Sequence, residues 1–183
     1  ETDFDEVKVP WERVFVCRDI ETQFAQWHST PAHSYQNYQS EIRLTVKLRF
    51  LVGLAKRIAE MTGAIKFPQI IEKLGWVSSQ LQVIEAFVYA MEVKGWRFGE
   101  YYLPNKELLY ASQVQSQNLY PKIIETLRDL AGGGMIMLPS SIADFEAPEI
   151  AELIGKTQYS PAARSEERVK FFKLAWDAIG SEF

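Results

Sequence analysis

The sequence contains very little cysteine and histidine. Cys17 is the one cysteine among 183 residues, which excludes an internal disulfide framework and a thiolate metal cluster and fits a reducing compartment. The two histidines, His28 and His33, lie five residues apart across a proline, with no cysteine near them. A zinc site needs three or four ligands with paired spacing, so no metal is expected.

Long apolar runs and strong positive charge are also missing. Lys47, Arg49, Lys56 and Arg57 interrupt the most hydrophobic helical segment, so that segment is not a candidate for crossing a bilayer. No basic stretch followed by an apolar one opens the chain, and a net charge of −4 argues against sequence-independent binding of nucleic acid. We expect a soluble, cytoplasmic protein.

What is present is a large share of hydrophobic residues, 47% of the chain, in helical patterns. A first stripe in residues 33–62 recurs every three or four residues, and a second stripe of Ile42, Val46, Phe50 and Leu54 lies beside it, which predicts a helix buried on much of its circumference. Further helices are predicted at 20–29, with Asp19 as N-cap, at 68–94, at 106–130 with a kink at Pro121, within 144–159, and from Ser160-Pro161 onward. These lengths and links predict an all-α, four-helix bundle.

Residues 1–18 do not fit that pattern. Val7 and Val9 alternate with charged residues, and Val14 to Val16 follow a proline turn at Pro10, which predicts two short strands. Two short strands alone cannot bury a face, so we expect a remnant of a sheet whose other strands lie outside this chain.

Three consecutive glycines, Gly132, Gly133 and Gly134, follow the helix at 106–130. Glycines allow positive φ angles and close approach, and successive backbone N–H groups can form a nest for an anion such as a phosphate. Glycine after a helix is more commonly a simple C-cap. Both interpretations stay open at this point.

The two histidines flank a short segment that continues into a polar, aromatic run from Tyr35 to Gln39. One histidine is enough for a general base, and the run that follows suits the lining of a planar ligand's pocket. The alternative is a pair of surface histidines at a helix start. Nucleophile-elbow, Walker, dinucleotide and EF-hand patterns do not occur.

Several separated motifs together resemble the 4-hydroxyphenylacetate 3-hydroxylase family, the oxygenase half of two-component aromatic hydroxylases. These motifs are 9–16 (VPWERVFV) with Arg18-Asp19, 131–141 (AGGGMIMLPSS), Asp144-Phe145, and 174–183 (LAWDAIGSEF). Thr30-Pro31-Ala32-His33 and 101–105 (YYLPN) are more similar to its chlorophenol and nitrophenol monooxygenase branch. The resemblance covers nearly the whole chain.

The resemblance implies an acyl-CoA-dehydrogenase-like architecture with a β domain before a C-terminal helical bundle. Residues 1–18 would be the end of that β domain, and residues 19–183 the bundle, truncated at its C-terminus. The family assembles through this bundle as a dimer or tetramer, and a neighbouring subunit contacts the flavin.

The resemblance also implies a reaction and its residues. A separate flavin reductase supplies reduced FAD, O2 converts it to a C4a-hydroperoxyflavin, and a phenol such as 4-hydroxyphenylacetate, a chlorophenol or a nitrophenol is hydroxylated. His33 would be the catalytic base, and Phe183 would lie near the substrate ring. The glycines of 132–134 would meet the FAD pyrophosphate, with Gln36 and Gln39 as further flavin contacts.

Some family features are absent, namely the N-terminal arginine and tyrosine that hold substrate and the continuation after Phe183. We therefore expect these residues alone to be inactive. Two alternatives stay open: a non-catalytic helical oligomerisation module derived from this fold, and an acyl-CoA dehydrogenase-like flavoprotein. The retention of His33 with the glycine run favours the oxygenase.

Overall fold

A computed structural model describes residues 2–180, apart from the side chain of His28. Within this range the helices are α1 (Ile20–His28), α2 (Ala32–Thr62), α3 (Pro68–Val93), α4 (Lys106–Ala131), α5 (Pro148–Thr157) and α6 (Ser165–Ala175). Two short antiparallel strands, β1 (Trp96–Phe98) and β2 (Tyr101–Leu103), join α3 to α4. Beyond α6 the chain continues as a π-helical turn, Trp176–Gly180.

Helices α2, α3 and α4 pack against one another and α6 completes the bundle. The Tyr38 hydroxyl donates to Glu92, which joins the start of α2 to the end of α3, and Lys73 pairs with Asp129, which joins the start of α3 to the end of α4. Therefore α3 runs antiparallel to α2 and α4. The large side chains that are fully buried include Leu48, Leu51, Ile58, Val77, Ile84, Leu109, Ile123, Leu127, Phe172 and Ile179. The predicted all-α bundle is confirmed.

This arrangement gives the bundle two ends. The histidine end holds the starts of α2 and α4 and the end of α3, and the glycine end holds the ends of α2 and α4 and the start of α3. Since α4 has 26 residues, the two ends lie about 39 Å apart along it.

Local chemistry explains several helix boundaries. The Asp19 carboxylate accepts the Thr22 backbone N–H at 3.0 Å, as predicted for the start of α1, and Asn105 caps α4 through the Leu108 N–H at 3.0 Å. Gly63 ends α2 with φ +74°, a conformation that glycine adopts without steric cost. The helix at 106–130 continues past Pro121 to Ala131.

Gly63→Ala is expected to lower the free energy of unfolding by about 1–2 kcal/mol, because its left-handed φ strains an L-residue. A Cβ would also lie 3.1 Å from Pro161 Cγ. Gly53→Ala is the matched control, because Gly53 is an exposed residue inside α2 with no atom within 4 Å of its Cβ position. Gly53→Ala should raise the free energy of unfolding by about 0.5–1 kcal/mol, because alanine is more stable than glycine inside a helix. Chemical denaturation measures both free energies of unfolding. Equal effects of the two substitutions would contradict the left-handed conformation of Gly63 at the end of α2.

The prediction that α2 is buried on a second stripe is wrong for most of that stripe. Leu54 is buried, but Ile42, Val46 and Phe50 are exposed, because α3, α4 and α6 pack on other faces of α2. The first stripe packs as predicted, with Leu48, Leu51, Ala55, Ile58 and Met61 in the core. The described chain therefore leaves one apolar face of α2 uncovered.

The two strands predicted before residue 19 are not found in residues 2–18, where the chain forms a short 3-10 turn, Trp11–Arg13. A strand is stable only when a neighbour pairs with its backbone, and no other segment within residues 2–180 pairs with these residues. The aromatic connector instead forms the hairpin of β1 and β2, with Gly99 at φ +59° in its turn.

The last helix begins at Ser165 rather than at Ser160-Pro161. The Ser160 hydroxyl is buried and accepts the Ala162 N–H at 3.2 Å, and Pro161 packs against Gly63. These two residues therefore close the loop onto the end of α2.

The predicted apolar face of this helix is partly confirmed. Val169, Phe172 and Ile179 are buried, whereas Trp176 is 41% exposed. The π-helical turn that starts at Trp176 changes which side chains face the core.

Candidate functional sites at the two ends of the bundle

His33 lies in the first turn of α2, half-buried between α1 and α4. The Trp27 ring meets it edge-on, with ring centroids 5.2 Å apart. Asn37 Nδ2 lies 3.2 Å from its Nε2, and Tyr110 Oη lies 3.4 Å from its Nδ1. Because an amide nitrogen only donates, Nε2 accepts this bond in the neutral ring, and the ring proton then sits on Nδ1 facing Tyr110.

These contacts place His33 in the packing between helices, and its role as a catalytic base stays a prediction. A neutral imidazole can accept a proton from a substrate hydroxyl at Nε2 only after the Asn37 amide moves away from that nitrogen. The contacts with Trp27 and Tyr110 also hold α1 and α4 against the start of α2. Asn37, a member of the predicted polar, aromatic run, and Tyr110, which no sequence pattern indicated, fix the orientation of the ring.

The other predicted residues at the histidine end lie on the surface. Gln36 and Gln39 are exposed on the first turns of α2.

Tyr35 donates to the Tyr102 carbonyl at 3.1 Å. Burial and the hydrogen bond to Glu92 raise the pKa of Tyr38 to about 12.

The two tyrosines line a cavity of about 120 Å³. Ligand pockets are usually about 300–1,000 Å³, so this cavity is small for the planar ligand that the polar, aromatic run suggested. Tyr35 and Tyr38 instead tie α2 to β2 and α3.

A buried carboxyl group lies two helical turns beyond His33 on the same face of α2. Glu41 is 3% exposed and accepts a hydrogen bond from the fully buried Ser112 of α4. Burial raises the pKa of Glu41, and the Ser112 hydrogen bond lowers it by less. The net direction is upward from the ordinary value of 4.5.

Glu41→Gln is expected to raise the free energy of unfolding at neutral pH and to flatten its pH dependence. With a raised pKa the folded state keeps a proton that the unfolded state loses above pH 4.5, so stability falls as pH rises from there through the folded pKa. Denaturation at several pH values measures this. Glu125→Gln, an exposed site on α4, is the control. A steeper loss of stability with pH in Glu41→Gln would contradict the direction of the shift.

At the glycine end, α4 stops when the Gly132 N–H bonds to the Arg128 carbonyl. Gly132 has φ +53°, and residues Gly132–Met135 form a 3-10 turn in which Gly132 and Gly133 are exposed. The run is therefore a helix C-cap that also presents glycine backbone to the surface.

Gly134 has a further neighbour that the sequence analysis missed. A Cβ on Gly134 would lie 3.0 Å from Arg168 Nη2 and 3.8 Å from the Phe172 ring. With glycine at this position the guanidinium packs against the turn, whereas a Cβ would require it to shift. Nothing in the spacing of residues 132–168 distinguishes Arg168 from the other cations of the last helix.

A cavity of about 340 Å³ lies beside the glycine turn. Trp176, Lys173 and Asp177 line it from the last helix and its π-turn, opposite the segment that follows the glycines. Lys173 Nζ is 3.5 Å from the Ser140 carbonyl. The cavity falls in the size range of small-molecule pockets, and its remaining lining residues are Met135, Ile136, Leu138, Pro139 and Ser140.

The predicted site residues do not converge within one chain. His33, Gln36 and Gln39 lie at the histidine end, and Gly132, Gly133 and Gly134 lie at the glycine end. Phe183 lies outside the described residues, as does the His28 side chain. In the part of the chain that the structure describes, no three His, Cys, Asp or Glu side chains are grouped to hold a metal ion, and no helix is long and apolar enough to span a membrane.

Comparison with solved structures identifies the class of the fold. The chain matches the oxygenase component (HpaB) of 4-hydroxyphenylacetate 3-monooxygenase, complexed with FAD and 4-hydroxyphenylacetate, with a TM-score of 0.86 and 31% identity over 95% of this chain and 36% of that one. An archaeal 4-hydroxybutyryl-CoA dehydratase matches with a TM-score of 0.71 and 25% identity over 79% of this chain and 29% of that one. The bundle therefore has the acyl-CoA-dehydrogenase-like fold.

Sequence comparison identifies the family. The chain is 32% identical to the 4-hydroxyphenylacetate 3-monooxygenase oxygenase component of Pseudomonas aeruginosa and 35% identical to that of Klebsiella oxytoca, in each case over 98% of this chain. It spans 35% of the length of each relative. Residues 24–183 match the family HpaB, 4-hydroxyphenylacetate 3-hydroxylase C terminal, and the chain belongs to that family.

Proposed function

We propose that this chain is the C-terminal part of the oxygenase component of a two-component, flavin-dependent monooxygenase that hydroxylates phenols. The observation that supports this most strongly is the 0.86 TM-score over 95% of the chain to an oxygenase component bound to FAD and 4-hydroxyphenylacetate. A separate reductase supplies the reduced FAD, and the protein works in the cytoplasm. Residues 1–18 belong to the end of a preceding β domain, which covers exposed side chains such as Phe4 and Phe15.

The glycine end is the proposed place for FAD. The exposed backbone of Gly132 and Gly133, with Gly134, lets a pyrophosphate approach without interference from a Cβ, and the Gly132 N–H is already bonded to the Arg128 carbonyl. The adjoining cavity of about 340 Å³ offers the indole of Trp176 and the ammonium group of Lys173. When bound, reduced FAD supplies the activation of O2.

The histidine end is the proposed place for proton transfer. His33 takes the phenolic proton, which raises the electron density of the ring where oxygen is added. Gln36 and Gln39 contact the flavin, and Phe183 lies near the substrate. The substrate is a phenol of the 4-hydroxyphenylacetate, chlorophenol or nitrophenol type.

A complete site then needs two copies of the chain, because the two sets of residues lie at opposite ends of one bundle. The uncovered α2 face of Ile42, Val46 and Phe50 supports a homo-oligomer, either a dimer or a tetramer. Ile42 and Val46 also line a groove of about 230 Å³ with Tyr89 of α3. Burying such an apolar face stabilises association.

The test is oxygen-dependent hydroxylation by the complete protein that contains this chain, with chemically reduced FAD and a panel of phenols. Formation of a catechol or hydroquinone product supports the proposal. Reduction of its own FAD by an acyl-CoA would instead make the protein a dehydrogenase. A protein that forms oligomers but yields no product from any phenol of the panel would instead be a non-catalytic oligomerisation module.

A further inference from the structure

Arg168 is a partly buried cation for which the described residues supply no partner of opposite charge. Its Nη1 donates to the Gln158 side-chain oxygen, and its guanidinium lies 4.6 Å from the centre of the Phe172 ring. Among the residues that the structure describes, no carboxylate is within ion-pair distance of Arg168, and its Nε is buried without a hydrogen-bond partner. A cation in this setting loses hydration that nothing in the described chain replaces.

The place of the guanidinium connects it to the glycine turn. Arg168 Nη2 lies 3.0 Å from the position of a Gly134 Cβ, so the charge lies against the last glycine of the turn whose first two glycines, Gly132 and Gly133, are exposed. Gln158 strengthens this connection, because its Nε2 donates to the Met137 carbonyl at 3.0 Å while its oxygen accepts from Arg168. The guanidinium and the glycine turn are therefore held as one unit.

We propose that Arg168 supplies the positive charge that binds the diphosphate of the dinucleotide at the glycine turn. This inference rests on the proposed function, since the dinucleotide is the FAD of that site. Because the Gly132 N–H is bonded to the Arg128 carbonyl, the backbone of the turn alone holds an anion weakly, and a guanidinium beside Gly134 adds positive charge. Lys173 lies one and a half turns further along the same helix at the adjoining cavity, where Asp177 is the acidic group.

The chemistry separates this role from a purely structural one. FAD and ADP carry the diphosphate, whereas riboflavin carries the same isoalloxazine ring without phosphate. A charge that binds phosphate affects the first two ligands and leaves riboflavin unchanged. A residue that only holds the turn in place affects the shape of the whole site and therefore all three ligands.

The experiment measures the dissociation constants of FAD, ADP and riboflavin for the complete oxygenase by fluorescence titration and calorimetry. Arg168→Gln is expected to weaken FAD and ADP binding by about 10–100-fold and to leave riboflavin binding within about twofold. Arg168→Lys, which keeps the charge, should recover part of the loss. Lys170→Gln is the matched control, because it removes one positive charge from an exposed position of the same helix.

Equal weakening of all three ligands in Arg168→Gln, or unchanged FAD and ADP binding, would overturn the inference while leaving FAD-dependent hydroxylation by the wild type intact. ADP binding that depends on Arg168 in a protein that hydroxylates no phenol would support the diphosphate site and contradict the proposed function. Circular dichroism and thermal unfolding of each variant distinguish lost binding from lost folding. If Arg168→Gln does not fold, retention of ADP binding in Arg168→Lys at high salt, where charge is screened, would contradict the inference.

Discussion

Replacing His33 with alanine is expected to lower phenol hydroxylation by the complete oxygenase by about 10²–10⁴-fold, the usual contribution of a general base. The imidazole Nε2 is the unprotonated nitrogen of the neutral ring, and a phenol that takes the place of the Asn37 amide at Nε2 can transfer its proton there. The loss should depend on the substrate. A phenol that is protonated at the assay pH needs the base, whereas a nitrophenol that is already ionised does not.

The measurement is the turnover rate with reduced FAD for a series of phenols of decreasing pKa. Tyr110→Phe is the control, since it removes the hydroxyl beside Nδ1 and keeps the aromatic contact with His33, and its effect should be much smaller. An equal loss for protonated and ionised phenols would assign His33 a positioning role. An unchanged rate would leave it as a packing residue of the histidine end.

Phe172→Ala is expected to lower the free energy of unfolding by about 3–5 kcal/mol. Phe172 is 0% exposed, and its ring lies beneath the Arg168 guanidinium and 3.8 Å from the position of a Gly134 Cβ. Truncation leaves a cavity in the core and also removes the ring over which the guanidinium lies. A loss of this size is a large share of the stability of an ordinary domain.

Chemical denaturation measures this effect, with Leu174→Ala as the control two residues further along the chain, where the side chain is 49% exposed. The control should change the free energy of unfolding by less than about 1 kcal/mol. A small effect of Phe172→Ala would contradict the placement of this ring in the core that supports the glycine end.

The sequence predicted the main helices well, because their apolar spacing and their caps are local signals. Asp19 and Gly63 mark the boundaries of α1 and α2 where the structure has them. Ser160-Pro161 carried the same kind of signal, but these residues pack onto the end of α2, and the helix begins four residues after Pro161. When tertiary contacts determine where a helix begins, the sequence alone does not distinguish a capping residue from a loop residue.

Patterns that depend on a pairing strand or a covering surface elsewhere were harder to interpret. The alternation before residue 19 predicts strands, and no strand forms among residues 2–18 without a neighbouring strand. The stripe of Ile42, Val46 and Phe50 predicts burial, and the described chain leaves it exposed. In both cases the sequence identifies the apolar residues. It does not identify the surface that covers them, because that surface belongs to another segment or another chain.

The candidate site residues likewise divide into those that local sequence indicates and those that only tertiary contacts reveal. His33 and the glycine run could be selected from their chemistry and from the family resemblance, and their roles stay predictions. Their separation could have been foreseen, because α2 and α4 run in one direction and α3 in the other. Arg168 could not, since its significance comes from its contact with Gly134, 34 residues earlier.

The central proposal is that the complete protein containing this chain is an enzyme that places one atom of O2 on a phenol. The most direct test supplies the complete oxygenase with reduced FAD, a phenol and ¹⁸O₂ in ordinary water, and measures the product by mass spectrometry. We predict a hydroxylated product that carries one ¹⁸O atom. A product whose new oxygen comes from water, or flavin oxidation without any labelled product across the panel of phenols, would contradict the claim.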